Sequence, residues 1–285
     1  MPLNQAVFRV RALSAVVFAA IMLTGILWNQ WSFLILFLVI HTGCWWEYIR
    51  LSEQIEKIKI HNWIKGGLTT AGTGILLSFC SNSYVLAGYA LGANAVLPLS
   101  LAGFILIAAG LLQKQTHITG RGAGRLGFGW LYISLSWGMM IGILEFGVNK
   151  TDLSGWLLPL LLISSIWIND TMAYIVGSYI GKTPLSPISP KKTWEGTIGG
   201  ALLAVVVVSL VAVFMLEIPW VYAICLPAIG AVAGTFGDLL ESKLKRMAGV
   251  KDSGQMMPGH GGFLDRFDSL LLATPIAWIF LQIFG

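Results

Sequence analysis

The chain has 285 residues, of which 56% are hydrophobic and only 11% charged, with a mean hydropathy of +0.78. Soluble domains carry about 25% charged residues, so this composition excludes a water-soluble particle and fits a surface that is mostly lipid. The net charge of +5 sits in short loops between apolar runs, which points to anionic lipid headgroups and the positive-inside bias, not to nucleic acid.

Nine apolar runs are candidates for membrane spans: 11–28, 31–49, 65–81, 84–112, 128–147, 153–181, 197–216, 220–240 and 270–284. Each approaches the roughly 20 residues that a helix needs to cross a bilayer. The first follows Arg9 and Arg11 and reads as a retained helix, not a cleaved signal. The third is rich in Gly and Thr, the fourth is interrupted by Asn94 and Pro98, and the last is short. With nine spans and a cytoplasmic N-terminus, every Lys and Arg except Lys150 falls in a cytoplasmic segment or at its boundary. The expectation is therefore an all-α polytopic membrane protein forming one integral membrane domain over 1–285. Residues 1–160 would be mainly scaffold and 161–285 the catalytic half. Cys44, Cys80 and Cys225 lie far apart within apolar segments, without the spacing of a disulfide framework or a zinc site. His41, His61 and His117 are isolated and take no assigned role, and no internal repeat of the transporter kind is visible.

The polar residues that need explaining lie late in the chain. Residues 238–268 hold Asp238, Glu241, Asp252, Asp265 and Asp268 beside Lys243, Lys245, Arg246, Lys251 and Arg266. Asp265 and Asp268 are three apart and would share a helix face. With Asp238 they could hold one or two hard divalent ions, for which carboxylate oxygens and substrate phosphates are the preferred ligands. The helix that starts there offers free N–H groups to a phosphate, and the glycines around His260 let backbone approach a ligand. Mixed charges between membrane helices can also be no more than a solvated, topology-setting loop.

Two further features sit upstream. At and just before SPISPKKTWEG (186–196), Pro184, Pro187 and Pro190 stiffen the loop, and Lys191 and Lys192 precede a helix with Thr193 as its N-cap and Glu195 in its first turn. This pair reads either as a triphosphate or lipid-phosphate grip or as a positive-inside anchor. Asp170, beside Asn169 within the sixth run, must face protein or water, because an ionisable group at membrane depth costs about 2.5–3.5 kcal/mol. It reads as a metal or substrate contact or as a structural partner to a base. Glu47, next to Trp45, Trp46 and Tyr48, marks a membrane interface.

The run from Ser242 to Asp268 resembles the signature of the phosphatidate cytidylyltransferases (CDP-diacylglycerol synthases). The resemblance is carried by Ser242, Leu244, Lys245, Arg246, then Lys251, Asp252 and Gly254, then Pro258, His260, Gly261, Gly262 and Phe263, and last Asp265, Arg266, Phe267 and Asp268. Met257 stands where Leu, Ile or Phe is usual, a conservative departure. SPKKTWEG and the Asn169–Asp170–Thr171 triplet are similar to family landmarks in the same order, so the match covers about the last 120 residues.

The resemblance implies transfer of a cytidylyl group from CTP to phosphatidate, giving CDP-diacylglycerol and pyrophosphate in phospholipid biosynthesis. It implies Mg2+, with a second cation possible, and a homodimer in the cell membrane whose site faces the cytoplasm. On that reading Asp238, Asp265, Asp268 and Asp170 hold metal. Lys191, Lys192, Ser242, Lys245, Arg246, Lys251, His260 and Arg266 hold substrate. The competing readings are a CTP-dependent prenol or lipid kinase and an ion-coupled membrane transporter.

Overall fold

The computed structural model describes residues 5–113, 118–256 and 261–285. Its helices are α1 (Gln5–Leu27), α2 (Gln30–Glu56), α3 (Asn62–Leu77), α4 (Leu91–Leu111), α5 (Gly120–Gly129), α6 (Ser136–Lys150), α7 (Leu157–Ile180), α8 (Trp194–Phe214), α9 (Trp220–Met247) and α10 (Phe263–Phe284). A π-helical turn over Trp130–Leu135 joins α5 to α6, making one helical segment, Gly120–Lys150. Among the described residues, α2, α4, that joined segment, α7, α8, α9 and α10 are long and apolar enough to cross a membrane. The apolar stretch Leu13–Leu27 of α1 falls short of that length, and α3 has 16 residues. Leu202, Val206, Leu210 and Phe214 are all exposed at a spacing of four along α8, a stripe that water would not tolerate on a free helix face but lipid does. The protein is an all-α integral membrane protein.

Two small hairpins interrupt this helical pattern. The fourth apolar run does not begin as helix at residue 84. Val85 and Leu86 (β1) pair with Tyr89 and Ala90 (β2), across Ala87 and Gly88, both at positive φ, as a tight two-residue hairpin turn requires. The second hairpin pairs β3 (Pro184–Ser186) with β4 (Ser189–Thr193), so the proline-rich loop is a β-ribbon. Thr193 ends it as the N-cap of α8, accepting from the Gly196 N–H at 3.2 Å.

The described residues cluster into two compact units, each built from an early and a late stretch: Met1–Ile141 with Leu244–Phe267, and Gly142–Lys243 with Asp268–Gly285. In the first unit, Phe33, Phe37, Trp45, Tyr48, Trp137 and Phe267 are buried, and Phe37 and Phe267 each contact the Trp137 ring. The buried Ser134 hydroxyl lies 2.9 Å from both His41 Nε2 and Trp45 Nε1. In the second unit, α7 and α8 approach closely. A Cβ on Gly196 would sit 2.7 Å from the Ala173 carbonyl oxygen, and one on Gly200 2.6 Å from the Ala173 nitrogen. Only glycine allows backbones to meet at that distance, the small-residue packing that drives helix association in lipid.

That seam predicts that Gly200→Leu destabilises the protein by about 1–3 kcal/mol through overpacking, read as a lowered unfolding midpoint in detergent. Gly66→Ala, inside α3 and meeting nothing within 4 Å, should not lower the midpoint.

Candidate functional site

In the second unit, Asp238 and Glu241 lie on α9 and Asp268 on α10. One carboxylate oxygen from each lies within 4.8 Å of the others. Gly237 makes this possible: a Cβ there would fall 3.0 Å from Ser269 Cα and 3.2 Å from the Asp268 carbonyl carbon. With glycine, the α10 backbone comes close enough to α9 for Asp268 to join the acids of α9. Asp238 is further fixed by an ion pair from Lys192 and by the Ser242 hydroxyl, which donates to Oδ1 at 3.2 Å. Ser242, expected to bind substrate, thus orients an acid one turn back along its own helix. A carboxylate offers about four lone-pair sites, so Asp238 keeps ligating capacity. Three such groups from two helices suit a hard divalent cation.

Lys191 and Lys192 reach this region from β4. Their ribbon is latched to α8 by Glu195, whose carboxylate accepts from the Lys182 N–H at 3.1 Å and the Thr183 hydroxyl at 2.9 Å. Both lysines line a cavity of about 410 Å3 with Asn169, Asp170, Thr197, Thr235 and Asp238. Asp170 therefore faces this cavity from α7. Asn169 is 3% exposed, and its Oδ1 has no hydrogen-bond partner among the described residues, so the wall holds an acceptor that a ligand could satisfy.

Asp265 has other partners, in the first unit. Its carboxylate accepts from Lys245 Nζ at 2.6 Å, from the Ser253 and Gly262 N–H groups at 2.8 Å, and from the Ser253 hydroxyl at 2.9 Å. Asp265 is not among the three acids that converge: its oxygens accept from a lysine, a serine hydroxyl and backbone, and Glu241, with no role assigned from sequence, is in the trio. Beside it, the buried Glu47 carboxylate accepts from the Phe263 and Leu264 N–H groups, each at 2.9 Å. It caps α10, where free N–H groups and the helix dipole favour an anion. Glu47 also accepts from the Ser253 hydroxyl at 2.6 Å. Gly249, at φ 72°, ends α9 in a Schellman turn (Val250 N–H to the Lys245 carbonyl, 3.0 Å) and starts the loop that brings Ser253 to both acids.

Arg246 donates to the Val250 carbonyl at 3.2 Å. Lys251 and Arg266 are exposed, and His260 lies outside the described residues. Sequence reasoning named neither Glu241 nor Glu47 as a site residue. Glu241 had a signal, its spacing of three from Asp238 on one helix. Glu47 had none, because its partners are more than 200 positions away.

An integral membrane protein with an acidic trio beside paired lysines has the groups needed to bind a hard cation and phosphates. A model of the Cytidylyltransferase family matches residues 9–284, and the chain belongs to that family. Over 122 residues it is 47% identical to the phosphatidate cytidylyltransferase of Bacillus subtilis (strain 168), covering 42% of this chain and 45% of that protein. The phosphatidate cytidylyltransferase of Thermotoga maritima is 44% identical over 131 residues, covering 44% and 48%. Phosphatidate cytidylyltransferase 5, chloroplastic, of Arabidopsis thaliana is 35% identical over 205 residues, covering 65% and 51%. The matched stretch thus spans about half the length of each relative.

The Glu47 cap predicts that Glu47→Ala lowers stability by about 2–3 kcal/mol, the order expected when hydrogen bonds to a buried charged group are lost. Thermal unfolding in detergent measures it, with Glu145→Ala as a half-buried acidic control whose carboxylate accepts from Asn149. Equal midpoints for Glu47→Ala and wild type would contradict the cap.

Proposed function

We propose that the protein transfers the cytidylyl group of CTP to phosphatidate, giving CDP-diacylglycerol and pyrophosphate, as a step of phospholipid biosynthesis. The observation that carries this reading is the trio Asp238, Glu241 and Asp268 beside Lys191 and Lys192, in a chain of the Cytidylyltransferase family. The matched relatives are named phosphatidate cytidylyltransferases.

A phosphatidate phosphate oxygen attacks the α-phosphorus of CTP, and the bond to the β-phosphate oxygen breaks to release pyrophosphate. A phosphate monoester is already ionised near neutral pH, its second pKa being about 6, so no general base is needed. Both reactants are anions, and the task is charge neutralisation and alignment. The trio holds the cation, assigned as Mg2+ because its ligands are carboxylate oxygens, and a second cation would serve the same substrates. When bound, the metal supplies Lewis-acid stabilisation of phosphoryl charge. Lys191 and Lys192 hold phosphates from the rigid ribbon, and Asp238 aims Lys192 through their ion pair. Asp170 and Asn169 line the same cavity and contact CTP or its cation. Lys245, held by Asp265, contributes positive charge in the first unit, as do Arg246, Lys251 and Arg266; His260 belongs to the same signature run.

The same proposal includes nine spans, a cytoplasmic N-terminus, a site facing the cytoplasm of the cell membrane, and a homodimer. The partition of Lys and Arg supports the orientation, and the family resemblance supports the dimer.

The test supplies α-labelled CTP to purified protein in phosphatidate-containing micelles. Label should enter the organic phase only with Mg2+, and Asp268→Asn should cut the rate by about 100-fold or more. Lys191→Ala should raise the KM for CTP about tenfold, the order expected for a lost charge-assisted contact. Label that stays in water as CDP while an added prenol becomes phosphorylated would replace this reading with the kinase.

A further inference from the structure

Helix α2 presents an exposed stripe of Ile35, Val39, Thr42, Trp46 and Arg50. Two cavities flank it and share Thr42, Trp46 and Arg50 as a common ridge. The first, about 700 Å3, is walled mainly by apolar side chains of α2 and by Gly254–Met256 and Phe263. The second, about 670 Å3, lies against Gly66, Thr69 and Thr70 of α3, with Asn62 and Lys65 at one end. Trp46 is 72% exposed, so it stands as a fin between two grooves.

Charge sets the polarity of this surface. Arg50 makes no ion pair or hydrogen bond among the described residues, whereas its neighbour Lys65 is paired with Glu53 at 2.8 Å. Glu47 and Glu53 also line these grooves, but Glu47 is engaged by the start of α10 and Glu53 by Lys65, so Arg50 presents a cation unpaired among the described residues at the head of two grooves. From Ile35 to Arg50 the stripe runs about 22 Å at the helical rise, enough to cover the acyl layer of one leaflet, about 15 Å, and reach the headgroups. One anion with two apolar tails matches a cation heading two grooves.

We propose that this surface is the docking site of phosphatidate: one acyl chain on each side of Trp46, and the phosphate on Arg50. The assignment rests on the phosphatidate cytidylyltransferase reading and adds to it the place where the lipid is received. It also gives the first groove a link to the signature segment. Its wall at Gly254–Met256 follows Ser253, which Glu47 and Asp265 hold together. Guanidinium suits a phosphate by bidentate hydrogen bonding, and the adjacent indole suits the interface between acyl chains and headgroups.

The experiment uses full-length protein in phosphatidylcholine nanodiscs doped with phosphatidate bearing a photoreactive diazirine on one acyl chain, with labelled peptides mapped by mass spectrometry. Labelling should fall on α2 between Ile35 and Trp46 and on α3 around Thr69. Excess unlabelled phosphatidate should suppress it, and phosphatidylglycerol should not. Arg50→Gln, a change at an exposed position, should reduce labelling about fivefold or more, the order of a lost charge-assisted contact. It should also raise the KM for phosphatidate while leaving that for CTP unchanged. Labelling that ignores phosphatidate competition, that phosphatidylglycerol suppresses equally, or that Arg50→Gln leaves intact overturns the site. The crosslink needs no turnover, so its failure is distinct from a failure to form CDP-diacylglycerol.

Discussion

Three carboxylates whose oxygens lie within 4.8 Å of one another are the constraint around which the second unit is arranged. If all are ionised, each pair repels by about 3–4 kcal/mol at an effective dielectric near 20. Positive charge brought to the same place offsets that cost. Lys192 supplies part of it, and the proposed cation supplies the rest. The neighbouring features serve that meeting: Gly237 lets α10 approach α9, Ser242 fixes Asp238, and Glu195 holds the ribbon that carries Lys192.

The first unit solves a different problem with the same chemistry. The start of α10 exposes backbone N–H groups at the end of a membrane helix, and Glu47 and Asp265 accept from them. Ser253 bridges the two acids, so a residue of α2 is tied to the loop that follows α9. The N-terminal half therefore does more than fill membrane. It contributes a buried acid to the segment on which the family signature lies.

What could be read in the sequence followed from where the signals are local. Apolar runs mark helices because bilayer thickness sets their length, and Thr193 as an N-cap followed from its side-chain chemistry and position. The β1–β2 hairpin was hidden because Val85, Leu86 and Tyr89 are as apolar as the span they precede, and an Ala at positive φ leaves no mark. The β3–β4 ribbon was hidden behind three prolines. Asp238 and Asp268 were legible as acids beside the ends of apolar runs, although α9 continues past Asp238 to Met247. The choice between Asp265 and Glu241 was not, because it depends on which neighbour turns a carboxylate away: Lys245 and Ser253 do this for Asp265.

The central claim is that the cation is held by Asp238, Glu241 and Asp268, with Asp265 acting elsewhere. Mn2+ binding to purified protein, followed by electron paramagnetic resonance of the free ion, tests it without substrate or turnover. The account predicts that Glu241→Gln weakens binding about tenfold or more, as loss of a ligand should, while Asp265→Asn binds like wild type. Retained binding in Glu241→Gln together with lost binding in Asp265→Asn would contradict it.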